Sequence, residues 1–408
     1  MRVLLSTIGS RGDVQPLVAL ALHLTGRGQD VRLCVPPDFR EWIEGFGLEV
    51  TPIGPEVRAF SAARPMASQP RTGPTLSQRQ QMAEATVATQ FETVATAARG
   101  CDVIVAATAL QIAARSIAEK MGISYAFAAY SPTVLPSLHH PPPLLPPLPG
   151  QAPPPTTDNR ELWARDTARF NDLFGSALNK HRAALGLRPV DDVRSYMFTD
   201  CPWLAADPIL GPWPDAADDH VFQTGAWILT DERPLSGDLQ TFLEDGEPPV
   251  YFGFGSTRAP QDTGQVLLVA ARAAGRRAIV SRGWFDESLV TNDADCLSIG
   301  DVNVHALFPR VAAVVHHGGA GTTAAAALAG TPQVVIPNVY DQHYWARQVG
   351  RLGIGTAHAS GTPTRESLIG ALEQTLTPEV ATRAKSVASE VRRDGVRVAA
   401  ERVLGAGR

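Results

Sequence analysis

The stretch richest in chemistry is VVHHGGAGTT at 314–323. An apolar run ends in two histidines, small residues allow a tight turn, and an alanine-rich helical run follows. Glycine lets the backbone approach a ligand closely, and the free N–H groups at a helix start attract anions. The stretch therefore reads as a phosphate cradle with His316 and His317 as donors beside it; an isolated histidine at such a place is more often structural, but one joined to a cradle favours a phosphate contact. No Gly-Lys-Ser/Thr follows, which argues against a P-loop kinase or ATPase. YFGFGST at 251–257 is a second strand end with small residues, Gly253, Gly255 and Ser256. In open parallel sheets ligands bind at the carboxyl ends of strands, so this loop is expected to face the same cleft.

Two acidic positions complete the set. In GSRGD (9–13) Asp13 opens a helical run, as does Asp341 in YDQ (340–342). Each reads in two ways. Asp is a good helix N-cap, which would make both structural. Alternatively, Asp13 is a general base at the cleft, a role worth about 10²–10⁴ in rate, and Asp341 with Gln342 exchanges hydrogen bonds with sugar hydroxyls. A helix N-terminus is expected to favour ionised Asp13. Ser10 and Arg11 beside it are candidates for holding a diphosphate, Arg11 through charge-assisted hydrogen bonds.

These loops need strands and helices to hold them. Short apolar runs at 3–6, 31–35, 103–106 and 125–129 alternate with helical patterns at 14–24 and 110–121, and 75–99 reads as one long helix. The pattern returns with runs at 250–254, 278–281, 312–316 and 334–336, and helices at 263–274, up to 328, and 342–352. Continuous apolar strands suit parallel sheets covered on both faces. The chain is thus expected to be α/β, with two parallel units over 1–211 and 249–381, a linker at 212–248, and a C-terminal helix at 382–408. Between 132 and 155 the sequence holds eleven prolines, which excludes a helix or a central strand. That stretch reads as a surface insertion or as the wall of an acceptor pocket, with Leu135, Leu138, Leu144 and Leu145 facing a greasy ligand. Residues 65–74 are similarly loop-like.

Composition narrows the function classes. The 408 residues exceed one ordinary domain, and 44% hydrophobic content supports buried cores. A net charge of −5 gives no basic surface for nucleic acid. Cys34, Cys101, Cys201 and Cys296 lack metal-ligand or redox spacing. They read as free thiols in a reducing cytoplasm. No signal peptide or membrane span is expected, and no metal-binding motif is visible.

Taken in order, MRVLLSTIGSRGDVQPLVALA, VRLCVPPDF, QTGAWILTDERPL, PPVYFGFGS, RRAIVSRGW, VAAVVHHGGAGTT and VVIPNVYDQHYWA resemble the two-domain inverting glycosyltransferases that decorate natural products. Within that family the chain is similar to the actinobacterial glycopeptide-antibiotic glycosyltransferases. The resemblance implies two facing Rossmann-like domains (the GT-B fold). It also implies transfer of a hexose from a UDP- or TDP-sugar to a hydroxyl of a lipophilic acceptor, a glycopeptide aglycone, polyketide or sterol-like molecule, with no cofactor. It places the base at Asp13, where many relatives have His in a Gly-His-Val-Asn-Pro version of residues 12–16. The donor would lie among Ser10, Arg11, Gly12, Ser256, Val302, His317, Gly319, Ala320, Gly321, Thr322, Asp341 and Gln342. Of these, His317 and residues 319–322 would take the diphosphate, Val302 the base through its backbone, and Asp341 and Gln342 the sugar. Trp284 is either a base-stacking ring or a core residue. The C-terminal helix is expected to cross back to the N-terminal domain. A nucleotide-sugar epimerase and a natural-product-binding protein are the alternatives. A dinucleotide oxidoreductase fits less well, because the first loop lacks G-x-G-x-x-G.

Overall fold

The computed structural model describes residues 1–58, 75–143, 156–215, 220–255, 263–283 and 293–406. Seven strands form the first sheet: β1 (Arg2–Thr7), β2 (Asp30–Val35), β3 (Glu49–Pro52), β4 (Val103–Ala107), β5 (Ser124–Ala129), β6 (Trp203–Leu204) and β7 (Phe222–Gln223). Their order is β3-β2-β1-β4-β5-β6-β7, and every neighbouring pair is parallel. The second sheet holds β8 (Val250–Gly253), β9 (Ala278–Ser281), β10 (Cys296–Ile299), β11 (Ala313–His316), β12 (Gln333–Val335) and β13 (Gly355–Ala357). Its order is β10-β9-β8-β11-β12-β13, again all parallel.

The central strands are buried along their whole length, VIVAA in β4 and VYFG in β8. Helices cover both faces of each sheet, so these strands read as unbroken apolar runs rather than as alternating ones. Strand order reverses between β1 and β4, and again between β8 and β11. A crevice opens at such a reversal, outside the carboxyl ends of the strands. The loop after β1 is GSRGD, and the loops after β8 and β11 begin at Phe254 and His317. The candidate chemistry therefore stands at both reversals.

The connections differ from the sequence expectation in three places. The 212–248 stretch, expected as a linker, supplies β7 to the first sheet and the helix Gly237–Glu244 to the second unit, whose core takes Leu239 and Leu243. A two-residue strand is too short to show a period in sequence. The expected C-terminal helix from 382 is two helices. Pro378–Ala388 packs on Ala320–Leu328, and only Gly395–Ala406 returns to the first unit, where Ala399, Ala400 and Val403 join the core beneath Arg11–Gly26. The crossing is tight because Gly225 and Gly395 meet backbone to backbone; a Cβ on Gly225 would lie 3.2 Å from Gly395 Cα. The helix read at 110–121 begins at Ala114. Within the Pro-rich stretch, Pro132–Val134 forms a single 3-10 turn, Leu135 is buried and Leu138 exposed; Leu144, Leu145 and the rest of 144–155 lie outside the described residues, as do 65–74.

The two units share a core. One buried cluster runs from Leu4 and Ile104 through Ala206 and Leu210 to Leu328, Trp345 and Val349. Among the described residues no helix is long and apolar enough to cross a membrane.

Candidate active site

On the first unit, the site is the turn from β1 into the helix Arg11–Gly26. Asp13 is the third helical residue, and its Oδ2 accepts from the Ser10 backbone N–H at 2.6 Å and the Ser10 hydroxyl at 3.1 Å. This reciprocal cap fixes the carboxyl group at the cleft. Gly9 is what allows it: φ is +153°, and a Cβ there would overlap the Asp13 carboxyl. Tyr130 donates to the Asp13 carbonyl at 3.1 Å and braces the turn from β5.

The structure reverses the electrostatic expectation for Asp13. Loss of water in the cleft pushes its carboxyl up to about 6, and the nearby Asp341 carboxylate adds to the rise. The Ser10 donors oppose the shift but do not win. The raised value still leaves Asp13 ionised at neutral pH, with more proton affinity than an ordinary carboxylate. The Arg11 guanidinium lies 3.4 Å from the Trp42 ring centroid and its Nε donates to Gln15 at 3.1 Å. The groups that bear on its charge across the cleft are Asp301, Arg233 and Asp231. Ser10 is committed to Asp13, and Gly12 is exposed.

On the second unit, β11 ends at His316 and the loop after it opens with His317, and the two histidines have different surroundings. His316 is fully buried, with Nε2 2.9 Å from Gln333 Oε1 and Nδ1 accepting the Gly318 N–H at 3.1 Å. Burial holds it neutral, pushed down to about 3, so it shapes the loop. His317 points the other way. Its ring lies between the two glycine loops: a Cβ on Gly319 would lie 2.7 Å from Nε2, and one on Gly255 3.3 Å from Cε1. Its Nδ1 is buried without a well-formed hydrogen bond among the described residues, the Gly253 carbonyl being the polar group beside it. Burial pushes the imidazole down to about 4, so at neutral pH it is an uncharged donor.

Gly318 (φ +88°) turns the chain against Val335 Cγ1, which a Cβ would approach to 2.7 Å. Gly319 then opens Ala320–Leu328 with no side-chain cap. The N–H groups of Ala320, Gly321 and Thr322 face the cleft end, as an anion site requires. The same turn touches the start of Gln342–Leu352: a Cβ on Gly318 would lie 3.1 Å from the Gln342 carbonyl.

Asp341 occupies the N-cap position of that helix but makes no capping bond. Its Oδ2 accepts instead from Trp345 Nε1 at 2.9 Å. Burial raises its carboxyl pKa, and the indole opposes the rise. Gln342 is buried, and its Oε1 accepts from the N–H groups of Asn338 and Val339 at 2.8 and 3.1 Å. These bonds leave its amide donors to face a ligand. Val302 makes no hydrogen bond among the described residues. The next residue, Asn303, ties that loop to the inter-unit connection by donating to the Asp231 and Arg233 carbonyls, both at 2.8 Å. Ser256 and Trp284 lie outside the described residues.

Asp13, Arg11, His317, residues 319–322, Asp341 and Gln342 therefore line one cleft, and Val302 adjoins it through Asp301. Tyr130, Gln333 and Trp345 are supports that sequence reading missed. Only the last had a signal, its four-residue spacing from Asp341 on a helix. Two depressions of about 460 and 410 Å³ lie near Arg115 and Tyr125, toward the amino-terminal ends of β4, β5 and β6, and include none of these groups. No three His, Cys, Asp or Glu side chains cluster as metal ligands among the described residues.

Comparison with known proteins matches this architecture on both units. Residues 3–138 match the Glycosyltransferase family 28 N-terminal domain, and residues 288–398 match the Erythromycin biosynthesis protein CIII-like, C-terminal domain. The chain is 48% identical over 409 residues to vancomycin aglycone glucosyltransferase of Amycolatopsis orientalis, covering 100% of this chain and 98% of the relative. It is 43% identical over 395 residues to dTDP-epi-vancosaminyltransferase of the same organism, covering 95% and 93%. Among solved structures, the glycosyltransferase of kitacinnamycin superposes with a TM-score of 0.71 at 19% identity, covering 99% and 98%. VinC in complex with dTDP superposes at 0.66 and 20% identity, covering 98% and 100%. With two parallel-sheet units, a cleft at both strand reversals and near-half identity over its full length, the chain belongs to the GT-B natural-product glycosyltransferases, in the company of the glycopeptide-antibiotic enzymes.

Proposed function

We propose that the enzyme transfers a hexose from a UDP- or TDP-sugar to a hydroxyl of a lipophilic natural-product aglycone, by direct displacement with inversion at the anomeric carbon. The observation that carries the reading is the facing of Asp13 and Asp341 across the cleft, with the His317 cradle beside them. Asp13 takes the proton of the acceptor hydroxyl as its oxygen attacks the anomeric carbon. The bond to the nucleoside diphosphate breaks, and the charge that develops there is met by His317 and the N–H groups of residues 320–322. Preorganised donors of this kind are effective because they need no reorientation during reaction. Asp341 and Gln342 hold the sugar hydroxyls, and the Val302 backbone meets the nucleotide base. Stabilisation by the helix N–H groups and the His317 hydrogen bond is our reason to propose that no metal is required.

A glycopeptide aglycone is the acceptor class favoured by the relatives, since one of them is named for the vancomycin aglycone; a thymidine nucleotide is favoured by the one named for dTDP-epi-vancosamine. A cytoplasmic setting accords with four free thiols. The test is turnover of TDP-glucose and UDP-glucose with a vancomycin-type aglycone, reading the anomeric configuration of the product by NMR coupling constants. A β-linked product, lost by about 10²-fold or more in Asp13→Ala, supports the reading. A retained α-linkage sinks direct displacement, and near-normal turnover in Asp13→Ala sinks the base assignment.

A further inference from the structure

Trp345 has two neighbours that matter, one on each unit. Its indole Nε1 donates to Asp341 Oδ2 at 2.9 Å, which turns the carboxylate away from capping its own helix. The opposite edge of the ring rests on Gly211 of the first unit. A Cβ there would lie 2.8 Å from Trp345 Cη2 and 3.1 Å from Cζ3. The ring itself is buried.

Gly211 is not a loose neighbour. Its N–H donates to the Asp207 carbonyl at 2.7 Å, and its carbonyl accepts from Gln223 Nε2 at 2.9 Å. The buried Asp207 carboxylate in turn accepts the N–H groups of Ile209 and Leu210, at 2.8 and 3.1 Å, and of Arg392 in the returning C-terminal segment, at 2.8 Å. The seam between the units is thus a hydrogen-bonded platform, and the Trp345 ring lies on it. A carboxylate held through one oxygen cannot rotate freely, and its other oxygen is then aimed.

We propose that Trp345 is a positioning residue for sugar transfer: seated on Gly211 of the opposite unit, it aims the Asp341 carboxylate at the sugar hydroxyls, so that sugar recognition depends on how the two units are seated. This rests on the reading of Asp341 as a sugar contact. The nucleoside diphosphate is bound elsewhere, by the residue 319–322 cradle and His317, so the effect of Trp345 falls on the sugar alone.

The experiment compares calorimetric affinities for TDP-glucose against TDP, and for UDP-glucose against UDP. It uses the full-length protein and its Trp345→Phe, Gly211→Ala and Asp341→Asn variants. Phenylalanine keeps an apolar ring but removes the N–H; alanine at 211 keeps the indole but pushes its edge. The expected result is that both weaken the sugar nucleotide about tenfold, the scale of one hydrogen bond to a charged group, while the bare diphosphate changes less than about twofold. Asp341→Asn should show the same split. Equal weakening of both ligands in Trp345→Phe, or no weakening of either, beside a selective Asp341→Asn, overturns the inference and leaves the Asp341 reading standing. A non-selective Asp341→Asn overturns that reading first. If Trp345→Phe does not fold, Gly211→Ala decides by the same split.

Discussion

Replacing Asp13 by Asn should abolish proton abstraction and at the same time stabilise the protein at neutral pH. Asn keeps an oxygen to accept from the Ser10 N–H and hydroxyl, so the helix cap survives. What disappears is a carboxylate that the cleft desolvates, with a value pushed from 3.8 up to about 6. A rise of about two units corresponds to about 3 kcal/mol at full weight. The side chain is partly open to the cleft, so solvent screening reduces the expected gain to about 1–2 kcal/mol. The sign follows from linkage. The folded-state value lies above the unfolded one, so the contribution of Asp13 is most favourable below about pH 4 and is lost as pH rises through about 6. Asn does not titrate, so its gain over wild type is full at pH 7.5 and vanishes near pH 4. For a unit of this size the gain corresponds to a Tm roughly 2–8 °C higher at pH 7.5. Differential scanning calorimetry at pH 7.5, 6 and 4.5 measures it. A variant less stable than wild type at pH 7.5, or a gain independent of pH, would refute the argument that desolvation dominates at Asp13.

The acidic limb of kcat/KM against pH should fall near 6, because Asp13 must be unprotonated to act and its free-enzyme value is about 6; a limb near 4 would mean an ordinary carboxylate. Gly9→Ala should cost about 10²-fold or more in turnover by displacing the Asp13 carboxyl while leaving TDP or UDP affinity unchanged, as titration calorimetry can check. His317→Ala should weaken the bare nucleoside diphosphate about tenfold. Because wild-type His317 is already neutral above about pH 4, that loss should be the same at pH 6 and pH 8. Gln333→Leu leaves buried His316 without its Nε2 partner and should cost about 1–3 kcal/mol in urea unfolding, with a slackened cradle showing as weaker diphosphate binding.

Long periodic elements were legible in the sequence, and short ones were not. β1, β4, β8, β9 and β11 came through as apolar runs because both faces of each are largely buried, and β2 and β5 came through on their buried C-terminal halves. β3, β6, β7, β10 and β13 did not: Glu49–Pro52 carries a charge and a proline, Trp203–Leu204 and Phe222–Gln223 are two residues each, Cys296–Ile299 is buried only at its ends, and Gly355–Ala357 is small and half exposed. The long 76–97 helix was readable to within two residues at each end, with a Thr75–Gln78 capping box. The candidate site was legible as residue types at turns. Its electrostatics were not, because the value of Asp13 depends first on burial, which only the fold sets, and then on Asp341, 328 positions away in the chain. The indole bond to Asp341 could be suspected from i, i+4 spacing, but the Gly211 face of Trp345 belongs to the tertiary structure alone.

That distance in sequence has a consequence for the base. Three influences set the proton affinity of Asp13, and they belong to different parts of the molecule. The Ser10 donors are local and lower it; they come with the turn itself. Removal of water raises it most, and the Asp341 charge, which comes from the second unit, adds to the rise. If the cleft opened, Asp13 would regain water, lose its neighbour and keep its Ser10 bonds, and its value would fall back toward that of an ordinary carboxylate. A base of that kind holds its proton weakly and takes one from a hydroxyl poorly. On the proposed roles, the same seating through Gly211, Asp207 and the Gly225–Gly395 crossing that would bring Asp341 to the sugar would also strengthen Asp13 as a base. Under that proposal, proton abstraction would be favoured in the arrangement where the donor sugar is held and water is kept from it, the combination by which an acceptor hydroxyl would compete with hydrolysis.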